Sequence, residues 1–271
     1  MESTEQLERD VRALAAIGPR NLRDVRRALN LAHAASYVSD RLGEIGYLPS
    51  VDRFEVAGHV VDVLVAERRG VSEPDRTLVV GAHYDTNGRS PGGPDDATGI
   101  ALLLATAAHL RGRELARTVR LVAFPNEERP FSRTSCIGSR VYARRCRERG
   151  DRIEAMIALE DIGRRTSAIS DFVAVVSNLR SRHLARRVHE SLGALRTIRA
   201  RKVILPGFLP LLRSSDPWSF WREGVPAVML ADGALLRPRQ PHGSAARQMV
   251  DFGRLQEVAR AVADAVMLLA S

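Results

Sequence analysis

The sequence predicts an α/β fold, a three-layer α/β/α sandwich around one mixed, mostly parallel central sheet. Two observations carry this expectation: short apolar runs alternate with amphipathic helical stretches, and acids or a histidine stand at the ends of four of those runs. At 271 residues the chain is read as one domain over 1–271, a length ordinary for a single-sheet α/β enzyme.

Leu7, Val11, Leu14 and Ala15, then Ala34, Tyr37, Val38 and Leu42, recur at three- and four-residue steps, the spacing of two amphipathic helices separated at Pro19 and Asn21. After Gly46 the residues 48–56 and 60–66 read as strands, and the polar stretch 67–76 reads as a loop. A buried strand at 77–82 leads to a helix at 99–110, a strand at 118–124 and a helix at 139–149. Strands at 153–159 and 172–177 precede a helix at 180–192 and a strand around 202–205. A short helix at 217–222, a strand at 226–230 and a closing helix at 254–269 complete the succession, with no internal repeat.

A 45% hydrophobic and 27% charged composition is that of a soluble globular protein. No apolar run approaches the roughly 20 residues of a membrane span. The first ten residues are polar and acidic, unlike a secretory leader, so the expected location is the cytoplasm. Cys136 and Cys146, two thiols in all, cannot build a disulfide framework. The formal charge is +9, and of 41 basic residues only Lys202 is a lysine. These residues are scattered, without a basic block or interleaved aromatics, so nucleic acid is not an expected partner. Surface arginines are the ordinary reading; an arginine-lined pocket for an anionic substrate is the functional one. Oligomeric state is left open.

In an open α/β sheet the ligand site lies beyond the C-terminal ends of the strands. His83 and Asp85 follow one strand, Glu127 and Glu128 the next, Glu160 and Asp161 a third, and Asp232 a late one. His83 and Asp85 share one side of an extended segment, so a metal-bound imidazole can donate its other N–H to the carboxylate. The turn-rich stretch 91–99, with Asp95 and Asp96, opens a helix; it offers a carboxylate able to bridge two cations, or else a plain N-cap. Adjacent Glu127 and Glu128 point in different directions, so one can bind metal while the other accepts a proton; a solvated surface pair is the alternative. Ser139 reads as a helix N-cap, and His33, His59, His109, His183 and His189 as surface or capping groups. Neither a Gly-x-Ser-x-Gly elbow nor a phosphate-binding glycine loop is present.

Gly81-Ala-His-Tyr-Asp-Thr, Pro91-Gly-Gly-Pro-Asp-Asp-Ala-Thr-Gly, Phe124-Pro-Asn-Glu-Glu, Gly138-Ser-Arg-Val-Tyr-Ala, Leu159-Glu-Asp-Ile-Gly and Ser215-Asp-Pro-Trp-Ser-Phe-Trp occur in this order, with His242 before Asp251-Phe. In that order they resemble the zinc aminopeptidases of the bacterial leucyl aminopeptidase type, whose fold is shared by the glutaminyl cyclases. The resemblance implies that Asp95 bridges two zinc ions, one completed by Glu128 and His242 and the other by His83 and Glu160. It further implies Glu127 as general base, Asp85 as the partner that orients His83, and a cis peptide joining Asp95 to Asp96. The function implied is cleavage of an amide or peptide bond at the amino-terminal end of a small peptide or amino-acid conjugate. A glutaminyl-cyclase-like acyltransferase with a single zinc, or a non-catalytic binding protein on the same fold, is the alternative. Manganese or cobalt suits the same donors.

The chain departs from the family's pattern at Asp96 for the usual Asn, Arg129 for Pro, Pro241 for Tyr, and Gly-Ser-Ala-Ala-Arg after His242. These changes bring Arg129, Arg133, Arg213, Arg237, Arg239 and Arg247 toward the site. An acidic substrate is therefore expected, with Arg129, Asp216 and Arg247 as its contacts.

Overall fold

The computed structural model describes residues 2–87, 94–163, 172–194, 198–207, 209, 212–232 and 250–271. Helix α1 (Thr4–Ile17) is capped by Ser3, whose hydroxyl accepts from the Gln6 amide, and α2 (Val25–Ile45) by Asp24, which accepts from Arg27. Helix α2 stops at Gly46, whose φ of 102° is the left-handed turn that glycine adopts without strain. A hairpin follows, β1 (Ser50–Val56) and β2 (His59–Arg68), and then β3 (Glu73–His83).

Thereafter the chain alternates α3 (Pro94–Leu110), β4 (Arg117–Phe124), α4 (Gly138–Arg149), β5 (Arg152–Glu160) and β6 (Phe172–Ser177). It continues through α5 (Arg182–Ser191), β7 (Arg199–Ile204), α6 (Asp216–Arg222), β8 (Ala227–Asp232) and α7 (Phe252–Ala270).

The strands form one sheet in the order β1-β2-β4-β3-β5-β8-β6-β7. At its centre β4, β3, β5 and β8 run parallel, while β2 pairs antiparallel with β4 and β6 antiparallel with β8. The sheet is thus mixed, with a parallel heart that ends at His83, Phe124, Glu160 and Asp232 on one edge.

Side chains of the central strands alternate between two cores, as a pleat requires. Leu78, Val80 and Ala82 of β3, with Leu121 of β4 and Ile157 of β5, pack into the core beneath α1, α2, α3, α5 and α7. Val79, Val122, Met156 and Ala158 face the other way, toward α4 and α6, where Phe124, Tyr142 and Phe220 meet with ring centroids 5.9–6.4 Å apart. His83 and Glu160 have the parity of this second face. Among the described residues no helix is long and apolar enough to cross a membrane, and Cys136 and Cys146 are free thiols.

Two boundaries differ most from the sequence reading. Strand β3 begins inside the expected loop, at Glu73, because its polar first half is held by ion pairs rather than by apolar burial. Arg76 pairs with Glu73 and Glu154, and Arg117 Nε lies 3.4 Å from Glu73 and 3.5 Å from Glu154. Helix α3 begins at Pro94 rather than Gly99, since proline suits the first turn of a helix.

Gly81 fixes the approach of β3 to the aromatic cluster: a Cβ there would lie 2.4 Å from the Phe124 ring. Gly81→Ala should lower stability by about 1–3 kcal/mol through overpacking, read as a shifted urea midpoint with unchanged slope.

Candidate metal centre

The C-terminal ends of β3 and β4 are joined by one carboxylate. Asp85 Oδ1 lies 3.3 Å from His83 Nδ1 and accepts the Glu127 amide at 3.0 Å, while Oδ2 accepts the Glu128 amide at 3.0 Å. The bend that presents both amides to Asp85 passes through Asn126 at φ 64°, a left-handed conformation that Asn tolerates better than most residues. Glu127 is consequently buried and Glu128 half-exposed, so the two acids do diverge.

The segment after His83 is strapped from behind. Arg20, fully buried, donates through Nε to the Tyr84 carbonyl at 2.8 Å and through a terminal nitrogen to Leu14 at 2.7 Å. Its backbone N–H reaches the Thr86 hydroxyl, Thr86 N–H returns to the Arg20 carbonyl, and Asn21 holds the Thr86 carbonyl. Sequence reasoning treated Pro19 to Asn21 as a mere separator. In a chain with so many arginines nothing marks Arg20.

Asp96 is a second residue the sequence undervalued. Its buried carboxylate lies 3.9 Å from His83 Nε2 and accepts the Gly99 amide at 2.8 Å and the Asp161 amide at 3.1 Å, tying the start of α3 to the end of β5. Ser139 is not the cap of α4, whose N-cap is Ile137. Its hydroxyl lies 2.9 Å from that of Ser219 on α6, because α4 already begins at Gly138 and its buried first turn places Ser139 inside the helix, facing α6. Asp232 is drawn away from the site by Arg254, at 2.9 Å, and by the Gly163 amide, so it anchors α7.

His83, Asp85, Asp96, Glu127 and Asp216 are all buried, and Glu128 and Glu160 are half-buried. Burial opposes protonation of His83, but the Asp85 hydrogen bond and the charges of Asp96, Glu127 and Asp85 outweigh it and hold the imidazole pKa well above its ordinary value. Burial pushes the Glu127 carboxyl well up, assisted by Glu160, Glu128 and Asp216 and opposed by His83. Burial likewise raises Asp216 to about 6, against the His83 charge and the Ser139 hydrogen bond.

The donor set suits a divalent cation. His83 and the carboxylates of Asp85, Asp96, Glu127 and Asp216 are buried toward one edge of the sheet, with half-buried Glu128 and Glu160 on the same edge, and such a surplus of acid is stabilised by a metal ion. Nitrogen and carboxylate oxygen are ordinary zinc donors. Of the five expected ligands, His83, Glu128 and Glu160 lie among the described residues. Asp95 lies in the first turn of α3, but its side chain and the geometry of its link to Asp96 lie outside them, as do His242 and Arg247. Among the described residues alone no group of three or more His, Cys, Asp and Glu forms a ligating set. Arg129 and Arg213 are exposed, and Arg129 stands directly after Glu128.

The profile of peptidase family M28 matches residues 63–266 of this sequence. The chain belongs to that family. It is 30% identical over 266 residues to the uncharacterized protein YfbL of Escherichia coli strain K12, across 89% of this chain and 80% of that protein. The M28 chain superposes on the Legionella pneumophila LapA aminopeptidase with a TM-score of 0.77 at 17% identity, covering 99% of this chain and 72% of LapA. It superposes on a Bacteroides thetaiotaomicron glutaminyl cyclase with a TM-score of 0.74 at 14% identity, covering 98% and 97% of the two chains. As an M28 member it is a zinc-dependent hydrolase, and the expected three-layer architecture is that of these neighbours.

The raised Asp216 pKa has a sign that can be measured. The metal-free fold holds this proton more tightly than the unfolded chain, so ionisation between the ordinary 3.8 and about 6 works against folding. Asp216→Asn should therefore stabilise the metal-free protein above pH 6, and the gain should vanish below pH 3.8, as read by chemical unfolding across that range.

Proposed function

We propose that this chain is one catalytic domain, an aminopeptidase-like hydrolase with two zinc ions that cleaves an amide or peptide bond at the amino-terminal end of a small peptide or amino-acid conjugate. The observation that carries the reading is the Asp85 carboxylate, which joins His83 on one strand end to Glu127 and Glu128 on the next. His83 and Glu160, with Asp95, would hold one ion; Glu128 and His242, with Asp95, the other. Zinc supplies Lewis-acid polarisation of the scissile carbonyl and acidification of a water.

The protein's own groups do the rest. Asp85 occupies His83 Nδ1 and so leaves Nε2 for the metal. Glu127, its pKa raised by burial and neighbouring acids, takes the proton of the attacking water and passes it to the leaving amine. The buried Oδ1 of Asp216 has no hydrogen-bond partner among the described residues, which supports a role in holding the substrate's amino group. Arg129 and Arg247 stand as contacts for the outer, acidic part of the substrate. The free thiols support a cytoplasmic location.

The likeness to a glutaminyl cyclase over nearly its whole length supports a second reading, a one-zinc acyltransferase. Metal analysis separates the two: about two zinc per chain accords with hydrolysis, and one supports the cyclase.

Glu127→Gln should retain zinc while turnover of aminoacyl amides falls by about 10²–10⁴; undiminished turnover would remove Glu127 as the base. Asp85→Ala should weaken zinc binding by about 10–100-fold, measured by competition with a chromogenic chelator.

A further inference from the structure

The direction in which the Asp85 carboxylate points is set by the backbone angles φ and ψ of that residue, which lie between two planar peptide groups. A single residue holds both groups. The Tyr84 carbonyl, in the peptide group before Asp85, accepts from Arg20 Nε at 2.8 Å. The Thr86 amide, in the peptide group after it, donates to the Arg20 carbonyl at 2.8 Å, and the Arg20 amide bonds the Thr86 hydroxyl at 2.9 Å.

Arg20 is in turn fixed by both N-terminal helices. A terminal nitrogen of its guanidinium donates to the Leu14 carbonyl at 2.7 Å and to that of Gly18 at 3.3 Å, at the C-terminal end of α1, where a cation is favoured and the last carbonyls have no partner within the helix. Just before it, the Pro19 carbonyl accepts from Asn30 of α2 at 3.0 Å. Tyr84 buries its ring in the core beneath these helices and donates its hydroxyl to the Asp62 carbonyl at 2.6 Å, so the stretch is held from one side and carries His83 and Asp85 on the other. An apolar side chain in the place of Arg20 would avoid the cost of burying a charge, but it would supply no donors directed at the carbonyls of two separate segments. The M28 profile begins at residue 63, so this contact reaches the site from outside the matched segment.

We propose that Arg20 is a positioning residue of the metal centre, which aims Asp85 at His83 and at the Glu127 and Glu128 amides and thereby sets the affinity for zinc. The proposal rests on the reading of His83 as a zinc ligand. Arg20 acts through the backbone on either side of Asp85, and Asp85 orients the imidazole.

The test is competition for zinc between a chromogenic chelator and metal-free protein carrying Arg20→Met, Arg20→Lys, Thr86→Val, Val11→Ala or His83→Ala, with the stability of each variant read in urea. Arg20→Met removes every guanidinium donor and should weaken zinc binding by about tenfold or more, the scale of losing a group that supports a ligand. Arg20→Lys keeps one charged donor and should recover part of that loss. Thr86→Val keeps the shape and removes only the hydroxyl bonded to the Arg20 amide; it should weaken zinc binding less, and it decides the question if the Arg20 variants do not fold. Val11→Ala shortens a buried side chain of α1 and should lower stability while zinc affinity stays that of the unmodified protein. If the Arg20 and Thr86 variants lose stability yet bind zinc as tightly as Val11→Ala, Arg20 is structural only and the proposal is overturned, while weakened binding in His83→Ala leaves the ligand reading standing. Unchanged affinity in His83→Ala removes that reading, and the proposal with it.

Discussion

The Asp85 carboxylate is the contact on which the arrangement of the site depends. A parallel pair of strands brings two chain ends to one edge, but nothing in the ladder fixes where the side chains beyond that edge go. Asp85 does so by accepting an imidazole contact and two backbone amides at once. The ladder continues one residue past His83, where the Tyr84 amide donates to Phe124, and the Arg20 strap holds Tyr84 to Thr86 in place. With those fixed, the left-handed Asn126 can direct one glutamate inward and the other toward solvent.

The same edge concentrates acid to a degree that a protein interior resists. Asp85 and Asp96 meet the cost with backbone amides, and Asp232 with a buried guanidinium. Glu127 and Asp216 meet it by raised pKa values, the response expected where a charge lacks full compensation. The acids therefore divide into those that build the site as charged carboxylates and those that hold a proton more tightly than an ordinary carboxyl, and the latter are the ones suited to proton transfer.

Most of the fold was legible because the central strands carry apolar side chains on both faces and the helices between them keep a 3.6-residue period. The start of β3 was not legible, since Glu73, Pro74, Asp75 and Arg76 have the composition of a loop and become strand only through partners some 40 to 80 residues distant. His83, Asp85, Glu127, Glu128 and Glu160 were singled out by their positions at strand ends, and the structure sets all five along one edge of the sheet. Arg20 and Asp96 were missed for a common reason: their work is done through backbone amides and carbonyls of remote segments, which leave no pattern in the residues themselves. Ser139 was misread because a serine after glycine at a helix start has the same local signature whether it caps the helix or faces a neighbouring one.

The buried Asp232–Arg254 pair reaches beyond the anchoring of α7. Asp232 ends the last strand, Arg254 opens the last helix, and Gly163 bonds both sides of the junction through Asp232 and the Asp251 amide. The last strand and the last helix are thus fastened to one another, and to the end of β5, by contacts of their own. A buried ion pair that loses one partner leaves the other charge uncompensated, so the register of α7 against the sheet is set as much by this junction as by the apolar face of the helix.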